Sequence, residues 1–492
     1  MNRVIVIGAG MGGMCTAARL AKMGHSVTVL EASSHFGGKC RSETINGFTF
    51  DAGPTLLTIP AVYRDFFQRT GKHMGQVLTV EPVDPSFLYR FSDGSSVTFS
   101  NLSRKKTVEA ISKSFGEDSG KEWDKALIEA EAMWDVSREP FIEHELKISN
   151  FLKLSSLRDL FIIKPWRSLR SVPFKDKRLR MIMDRYATYS GSDPRKAPRV
   201  LSTIAFIEEA FGAWHIRGGM GKLAEAVYQR CLDLGVTFSF DEEVVEITIN
   251  GGRASGVIVK SGKNFEAENI VANCDSSTLY NYLVPKKLAN SERRKIEKSQ
   301  ASFAGFSIYL GLRKGERSLP HHTVLFPANY DEEFDALFST FKPIDNPAIY
   351  ICSPRDETMA PDGCESISIL VNAPRHGDFD WSDREYAAAY MEKIIDHIEA
   401  AGIPIRDRIL VKEFRTPLDL QNSTYSPGGS IYGRSSNGAR AAFLRAKNRS
   451  PIAHLYVVGG SAHPGGGLPL VALSAEMVAE AIGNRNGRPQ GH

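Results

Sequence analysis

The sequence predicts an α/β fold that contains a Rossmann-type domain with a β-meander, a mixed α+β domain and a basic helical subdomain. Three observations support this fold class. The chain begins with an apolar run, a glycine-rich turn, a helical pattern and a second apolar run that ends in an acid. It closes with another apolar run, another glycine-rich loop and a helical pattern. Between them, short apolar runs separated by turn residues predict further strands.

The first glycine-rich turn follows a strand-like run at residues 4–7 and precedes a helical pattern. Its glycines are Gly8, Gly10, Gly12 and Gly13. Gly8 permits a sharp turn, Gly10 lets the backbone approach a pyrophosphate, and Gly13 lets the helix pack against the strand. The helix N-terminus presents N–H groups and a partial positive charge to phosphates. Glu31 ends the next apolar run, where an acid accepts hydrogen bonds from ribose hydroxyls, so this element predicts a dinucleotide site.

Two downstream segments extend this pattern. Gly37 and Gly38 allow the backbone to approach a ligand, and Lys39 can offset phosphate charge. The second segment is 51–55, which includes a Gly-Pro pair. An ordinary turn with surface cations is the alternative for the first segment. Two such segments in series favour the ligand interpretation.

The middle of the chain predicts the remaining strands. Three short strands are predicted at 236–240, 244–249 and 254–260, with a return strand at 269–273. A β-meander followed by a return strand is typical of a flavin-binding Rossmann domain. Strands of a second sheet are predicted at 303–312, 348–353 and 365–372, and an amphipathic helix at 384–401.

The last element repeats the design of the first. A strand is predicted at 455–458, a glycine-rich loop at 459–469 and a helix at 470–482. We therefore expect both ends of the chain to hold one ligand. The predicted division assigns 1–75, 215–290 and 445–492 to a flavin-binding domain, 76–140 and 291–444 to a substrate domain, and 141–214 to a helical subdomain.

The charge is uneven along the chain. The net charge is +4, but residues 147–185 contain eleven Lys or Arg and three Asp, which is +8. Large apolar residues interleave with these cations, a pattern typical of a segment on an anionic membrane surface. A helical subdomain with a solvated basic face is the alternative. No nucleic-acid motif accompanies the basic segment, so we expect no nucleic-acid partner.

The cysteines and the apolar runs bear on the compartment. Six scattered cysteines without a CxxC pair predict reduced, mostly buried thiols and no zinc site. No apolar stretch is long enough to span a membrane, and little sequence precedes the first strand. We expect a cytoplasmic protein that associates peripherally with a membrane.

Together these motifs resemble those of bacterial phytoene desaturases and related carotenoid desaturases. The resemblance is carried in chain order by 8–13, Glu31, 37–39, 51–55, Trp214-His215, 218–221, 427–433, 442–445 and 459–467. It implies a non-covalent FAD, a two-domain architecture and a long apolar tunnel for an acyclic C30 or C40 carotenoid. It also implies a peripheral attachment that draws the substrate from the bilayer.

The resemblance also implies the cofactor-binding residues. These are Gly8, Gly10, Gly12, Gly13, Glu31, Ala32, Gly38, Lys39, Gly53, Pro54, Val244, Gly460, Leu470 and Val471. Val244 would present its backbone to adenine, and Gly460 with the last helix would lie at the flavin. Gly460 stands where the wider superfamily usually has an acid, and carotenoid desaturases are similar in lacking that acid. Lys39 stands where many relatives have Arg, which keeps the charge but loses the bidentate fork.

The implied reaction is the removal of a hydride and a proton from an allylic carbon–carbon bond, with the flavin as hydride acceptor. Such a reaction needs orientation and exclusion of water more than a strong base. His215 and His463 are therefore interpreted as structural, and the catalytic residues stay unassigned. Oxygen or a membrane quinone would take the electrons.

The alternatives are a carotenoid terminal-methyl oxygenase, an amine oxidase-like enzyme and a non-enzymatic lipid-binding protein. Candidates for the tunnel wall, with plain core as the alternative, are Phe206, Phe211, Trp214, Phe303, Phe306 and Tyr309.

Overall fold

Five parallel strands form the sheet that contains the N-terminal strand. The computed structural model describes residues 2–145, 157–316, 319–438, 441 and 445–483. In spatial order, the strands of this sheet are Leu455–Val457, Asn269–Ala272, Arg3–Ile7, Ser26–Leu30 and Thr237–Ser239. A parallel sheet usually has other elements packed on both of its faces. In this protein helices pack on one face and an antiparallel meander packs on the other.

Helices cover one face of the parallel sheet. They are Met11–Lys22, Ala61–Thr70, Gly221–Asp233 and Leu468–Gly483. Val4 and Val6 point into this helical layer, whereas Ile5 and Ile7 pack against the meander on the opposite face. This alternation explains why the first strand reads as a continuous apolar run.

The meander covers the other face and differs from the sequence prediction. Its antiparallel strands are Val244–Asn250, Arg253–Val259 and Asn264–Glu266. The prediction was wrong to count 236–240 as a meander strand, because Thr237–Ser239 joins the parallel sheet as its edge. A short apolar run has the same local pattern in either sheet, so only the pairing distinguishes them.

A seven-stranded sheet forms the second layered unit. Its strands in spatial order are Ile409–Arg415, Ala304–Arg313, Cys364–Ala373, Ile349–Cys352, His322–Phe326, Phe87–Phe91 and Ser96–Phe99. The predicted strands at 303–312, 348–353 and 365–372 are confirmed here. Helix Arg384–Ala400 packs on this sheet, and the carboxylate of Asp383 caps it by accepting the N–H groups of Glu385 and Tyr386.

Further elements connect and flank the two sheets. The remaining α-helices of the described residues are Arg104–Phe115, Glu117–Arg138, Leu157–Ile163, Lys177–Arg185, Thr203–Phe211, Ser276–Thr278, Asn290–Lys298, Asp331–Asp335 and Pro417–Thr424. Two small antiparallel pairs join Ser42–Ile45 to Phe48–Asp51 and Val80–Pro82 to Trp214–Ile216. The first pair includes Asp51, the start of the predicted ligand segment 51–55, and the second pair includes Trp214 and His215.

The described part of the basic segment is mostly a packed subdomain. Residues 147–156 lie outside the described residues. Apolar side chains further along are buried in the core: Leu169, Val172, Phe174, Leu179, Ile182 and Met183. Several cations pair with acids, as in the 2.8 Å contact of Arg170 with Asp184. Phe161 and Trp166 differ, because their exposed fractions are 66% and 61%. Among the described helices, none combines the length and the hydropathy that crossing a bilayer requires.

Candidate active site

A cavity of about 2320 Å³ extends from the parallel sheet into the helical and seven-stranded parts of the fold. Sites for one small molecule usually have volumes of about 300–1,000 Å³. This cavity is therefore large enough for two sizeable ligands. We call its two regions the glycine end and the aromatic end. The glycine end is lined by Gly8, Gly10, Gly12, Gly38 and Gly460, and the aromatic end by Trp134, Tyr189, Phe211, Tyr330 and Tyr350.

The glycine end lies at the carboxyl ends of four parallel strands, where open α/β sheets bind their ligands. All of the predicted cofactor-binding residues except Gly13 line the cavity. Gly13 lies beneath the turn, where a Cβ atom would overlap the carbonyl oxygen of Gly8. This position agrees with the close helix–strand packing predicted for it. Gly53 is similarly restricted, because a Cβ atom there would overlap the carbonyl oxygen of Lys39.

Asn273 holds the glycine-rich turn from the neighbouring strand. It directly follows strand Asn269–Ala272, and its Oδ1 accepts a hydrogen bond from the N–H of Gly13. A Cβ atom on Gly12 would lie 2.7 Å from the same Oδ1. The sequence analysis missed this residue. A polar residue immediately after a buried strand was the available signal, but its partner lies in a distant segment of the chain.

Glu31 contacts the protein at both carboxylate oxygens. Oε2 accepts the N–H of Ala9 at 2.6 Å, and Oε1 accepts the N–H and the hydroxyl of Ser33 at 2.9 and 2.8 Å. The carboxylate also lines the cavity. It therefore fixes the first turn to the end of the second strand, while ribose recognition stays a prediction.

Two cations face the cavity at the glycine end: Lys39 is half-buried and Arg445 is buried. Lys39 Nζ donates to the carbonyl oxygens of Ser430 and Ile431 at 2.7 and 2.9 Å. Arg445, which the sequence analysis did not assign to the site, donates to the carbonyl oxygen of Gly460 at 2.8 Å. Burial lowers the pKa of Lys39 to about 8 and that of Arg445 to about 10, and the nearby Asp275 carboxylate opposes both shifts. The carbonyl groups that bond Lys39 and Arg445 carry no net charge and do not neutralise the two cations. An anionic ligand in this space would therefore gain two cationic partners.

The glycine end therefore fits a dinucleotide with a diphosphate. Its turn leaves no room for side chains, a helix N-terminus lies beside it, and two cations face the same space. Val244, Leu470 and Val471 also line this cavity, and their contacts with adenine and flavin stay a prediction.

The two histidines interpreted as structural lie away from the cavity lining. His215 is buried, and its Nε2 lies 2.9 Å from a carboxylate oxygen of Asp356. His463 Nε2 lies 2.9 Å from the carbonyl oxygen of His144, and burial lowers its pKa to about 4. Both contacts give the rings a structural partner.

The aromatic end is assembled from segments that are far apart in the sequence. Of the six aromatic candidates for the tunnel wall, Phe211 and Tyr309 line the cavity. Phe206, Phe303 and Phe306 are buried in the hydrophobic cores instead, and Trp214 is half-buried against the core beneath the parallel sheet. Local sequence does not separate core from cavity wall, because both positions are apolar and inward-facing.

A chain of hydrogen bonds connects the aromatic end to the predicted cofactor segment. Tyr350 lies on strand Ile349–Cys352, and its hydroxyl is 2.6 Å from Thr55 Oγ1 and 2.7 Å from His322 Nδ1. Thr55 directly follows Gly53 and Pro54. The two regions of the cavity therefore meet at Thr55 and Tyr350.

The chain belongs to the flavin containing amine oxidoreductase family, whose model matches residues 11–483. This family confirms the predicted cofactor, FAD, and the prediction of an oxidoreductase. Solved structures share the fold: a putrescine oxidase double mutant aligns with a TM-score of 0.68 at 16% identity and 99% coverage of both chains. An oxidoreductase from Methanosarcina mazei aligns with a TM-score of 0.63 at 17% identity, covering 97% of this chain and 100% of the other.

Curated relatives confirm the resemblance to carotenoid desaturases. The chain is 32% identical to 4,4'-diapolycopene oxygenase from Methylomonas sp, over 98% of both chains. It is 30% identical to the zeta-carotene-forming phytoene desaturase from Myxococcus xanthus, covering 98% of this chain and 94% of the relative. It is 29% identical to 1-hydroxycarotenoid 3,4-desaturase from Flavobacterium sp. (strain P99-3), covering 99% of this chain and 100% of the relative.

Proposed function

We propose that this protein is an FAD-dependent carotenoid desaturase that introduces double bonds into an acyclic C30 or C40 polyene. One observation carries the proposal: a single cavity joins a glycine end that fits a dinucleotide to an aromatic end that fits a long apolar chain. The desaturase and oxygenase relatives support the same class of substrate.

The proposed chemistry requires little from acidic or basic side chains. A bound flavin supplies the hydride acceptor for the oxidation of an allylic carbon–carbon bond. The protein aligns the polyene, excludes water and releases a proton that conjugation has already made acidic. His215 and His463 have structural partners, which supports a mechanism without a dedicated histidine base. Oxygen or a membrane quinone then accepts the electrons.

We assign the cofactor contacts accordingly. The turn at 8–13 and Glu31 would hold the ADP part, Lys39 and Arg445 would offset the diphosphate charge, and Gly460 would lie at the flavin. The predicted division into a flavin-binding domain, a substrate domain and a helical subdomain matches this assignment, because the parallel sheet carries the glycine end.

We also propose that a membrane surface delivers the substrate near Phe161 and Trp166. Ile163 and Pro165 line the cavity, and these two exposed aromatic side chains flank them in the sequence. Their ring centroids lie 6.1 Å apart in an edge-to-face arrangement. We therefore limit the proposed membrane contact of the basic segment to this aromatic pair and the cations beside it. Most of the other described apolar side chains of the segment are buried in the core.

Vesicle sedimentation tests the membrane proposal. Replacing Phe161 and Trp166 together with Ser is expected to weaken binding to anionic phospholipid vesicles by at least about tenfold, because two aromatic anchors are lost. The control is Tyr386→Ser, since Tyr386 is exposed on helix Arg384–Ala400. Equal binding of the double variant and the wild type would overturn the proposal.

Pigment analysis tests the proposed function. The protein is expressed in a host that makes phytoene, and FAD-reconstituted enzyme is assayed with acyclic carotenoids in vesicles. Desaturation is expected to shift absorption to longer wavelength and to remove two hydrogens per new double bond. A gain in mass from oxygen would support the terminal-methyl oxygenase. Peroxide release with amines, and none with carotenoids, would support an amine oxidase. Failure to bind FAD would support a lipid-binding protein.

A further inference from the structure

Three side chains that can bind a metal ion meet inside the seven-stranded sheet. They are His321, His322 and Cys352. One imidazole nitrogen from each histidine and the cysteine sulfur all lie within 4.8 Å of one another. The exposed fractions of the three residues are 8%, 0% and 2%. Imidazole and thiolate are the common protein ligands of Zn²⁺, so this group has the composition of a zinc site.

Strand pairing brings these residues together. His322 is the first residue of its strand and lies opposite Cys352, the last residue of the neighbouring strand. The N–H of Ser353 donates to the carbonyl oxygen of His321 at 2.8 Å. The adjacent pair, His322 and Cys352, therefore has no backbone hydrogen bonds between its two members, and side chains are closest at such positions. The ring centroids of His321 and His322 are 4.5 Å apart, which completes the group.

Both histidines have a nitrogen atom available for a metal ion. Nε2 of His321 and Nε2 of His322 are buried, and neither has a hydrogen-bond partner among the residues that the structure describes. A buried polar atom without a partner is costly. Burial lowers the pKa of His321 to about 3 and holds the pKa of His322 well below its usual value. Both rings are therefore neutral near pH 7, and neutral imidazole is the form that binds a metal.

Hydrogen bonds around His322 support a metal ion on its Nε2. His322 Nδ1 lies 2.7 Å from the Tyr350 hydroxyl, which lies 2.6 Å from Thr55 Oγ1. Thr55 is also hydrogen-bonded to the Cys352 sulfur. With the metal ion on Nε2, Nδ1–H donates to Tyr350, Tyr350 donates to Thr55 and Thr55 donates to the sulfur. Each donor then has an acceptor, as is usual for the second N–H of a ligating histidine.

The separations of the ligand atoms are close to those of a zinc site. Bonds of about 2.0–2.3 Å to a tetrahedral zinc ion place its ligand atoms about 3.3–3.8 Å apart. Atoms that lie within 4.8 Å of one another reach these separations by small side-chain rotations. The lack of solvent exposure suits a closed site, because the ion bonds directly to the atoms that surround it.

The charge of the group can also be balanced. Burial raises the pKa of the Cys352 thiol, but a bound zinc ion deprotonates a coordinating thiol, and the proton leaves to solvent. Zn²⁺ with one thiolate and two neutral imidazoles keeps one positive charge. The Asp51 carboxylate interacts electrostatically with Cys352 and is placed to offset that charge.

We propose that His321, His322 and Cys352 bind one Zn²⁺ ion, with the fourth position left for a water molecule carried in with the ion. The ion ties the two strands together and, through Tyr350 and Thr55, supports the predicted cofactor segment. This role is structural, so the inference does not depend on the proposed function. The sequence analysis predicted no zinc site because the cysteines lack a CxxC pair, whereas this site combines one cysteine with two histidines from another strand.

Metal titration of the full-length protein tests the inference. The protein is dialysed against a chelator, Zn²⁺ alone is added, and bound zinc is measured by mass spectrometry after desalting. About one equivalent per chain is expected. Co²⁺ in place of Zn²⁺ is expected to give a sulfur-to-metal charge-transfer band in the difference spectrum. Zinc binding below about 0.2 equivalent, or a Co²⁺ spectrum without this band, would overturn the inference. Neither measurement requires substrate or turnover, so failure of the proposed function does not affect them.

Variants identify the ligands. Cys352→Ser and His321→Gln keep similar volumes, and each is expected to weaken Zn²⁺ binding by at least about a hundredfold. Tyr350→Phe removes only a partner of a ligand and is expected to cost about tenfold to a hundredfold. The matched control is Cys364→Ser, because Cys364 is a half-buried thiol on another strand and is expected to be dispensable. Full affinity in Cys352→Ser, or an equal loss in Cys364→Ser, would overturn the assignment.

Thermal melting keeps the test valid where a variant is less stable. Zn²⁺ that binds the folded site is expected to raise the Tm of the wild type by several degrees, and a chelator is expected to reverse the rise. In Cys352→Ser, which circular dichroism checks for folding, Zn²⁺ is expected to leave the Tm unchanged from its own starting value. The same Zn²⁺-dependent rise in both proteins would overturn the inference.

Discussion

The two ends of the cavity are built by different means. The glycine end consists mainly of backbone: turns that exclude side chains, a helix N-terminus and carbonyl groups that hold two cations. The aromatic end consists of side chains from helices and strands that are distant in the sequence. Backbone geometry suits a ligand that is the same throughout a family, whereas side chains can change with the substrate. The comparison teaches that cofactor choice and substrate choice can be altered separately.

The largest effect is expected from Gly13→Ala. The added Cβ would overlap the carbonyl oxygen of Gly8 in the turn, so the turn must open. FAD affinity is expected to fall by at least about a hundredfold, as an overpacked backbone contact costs several kcal/mol. Flavin fluorescence during reconstitution measures this loss.

The control for this variant is Gly75→Ala. A Cβ at Gly75 would lie 3.4 Å from His73 Nδ1, which is an acceptable contact. Both proteins are also compared by circular dichroism. Full FAD affinity in Gly13→Ala would show that the glycine end does not depend on its turn.

The next effect is expected from Asn273→Ala, which leaves the Gly13 N–H without its side-chain acceptor. Loss of a buried acceptor costs about 1–3 kcal/mol, so FAD affinity is expected to fall by roughly tenfold to a hundredfold. Isothermal titration of the apoprotein with FAD measures it. Asn250→Ala removes an exposed contact with Ser255 and is expected to leave the affinity unchanged. Similar losses in both variants would contradict a role specific to Asn273.

The pH dependence of the Kd for FAD tests the contribution of Lys39 to the glycine end. Burial lowers the pKa of Lys39 to about 8, so the free protein loses this charge as the pH rises above 8. Attraction for the diphosphate is therefore present below pH 8 and lost above it, and the Kd for FAD is expected to rise about tenfold per pH unit there. Lys39→Arg keeps its charge and is expected to flatten the profile. Identical profiles would exclude Lys39 as the titrating group.

The smallest effect is expected from Tyr189→Phe at the aromatic end. This change removes the hydroxyl that donates to Glu208, and stability is expected to fall by about 1 kcal/mol. We expect kcat/KM for a carotenoid to fall by a few-fold while the Kd for FAD stays unchanged. Thermal melting, kinetics and FAD titration measure the three quantities. A matching loss of FAD affinity would contradict the independence of the two ends.

Sequence patterns predicted the glycine end well. The strand–turn–helix at each terminus and the return strand lie where the patterns put them, and most of the residues predicted to bind the cofactor line the cavity. These features depend on backbone conformations set within a few residues. The meander was misassigned because Thr237–Ser239 could pair with either sheet. Asn273 was missed, and Arg445 was given no role at the site, because their partners lie in other segments.

What the sequence determined by itself was the local chemistry: where the backbone turns sharply, where an acid ends a strand and which runs are buried. The tertiary structure alone decided which buried side chains became cavity wall and which became core. It also placed Asn273 and Arg445 beside the glycine-rich segments that they contact. The physical reason is that turns depend on neighbouring residues, whereas a cavity wall depends on how distant elements pack.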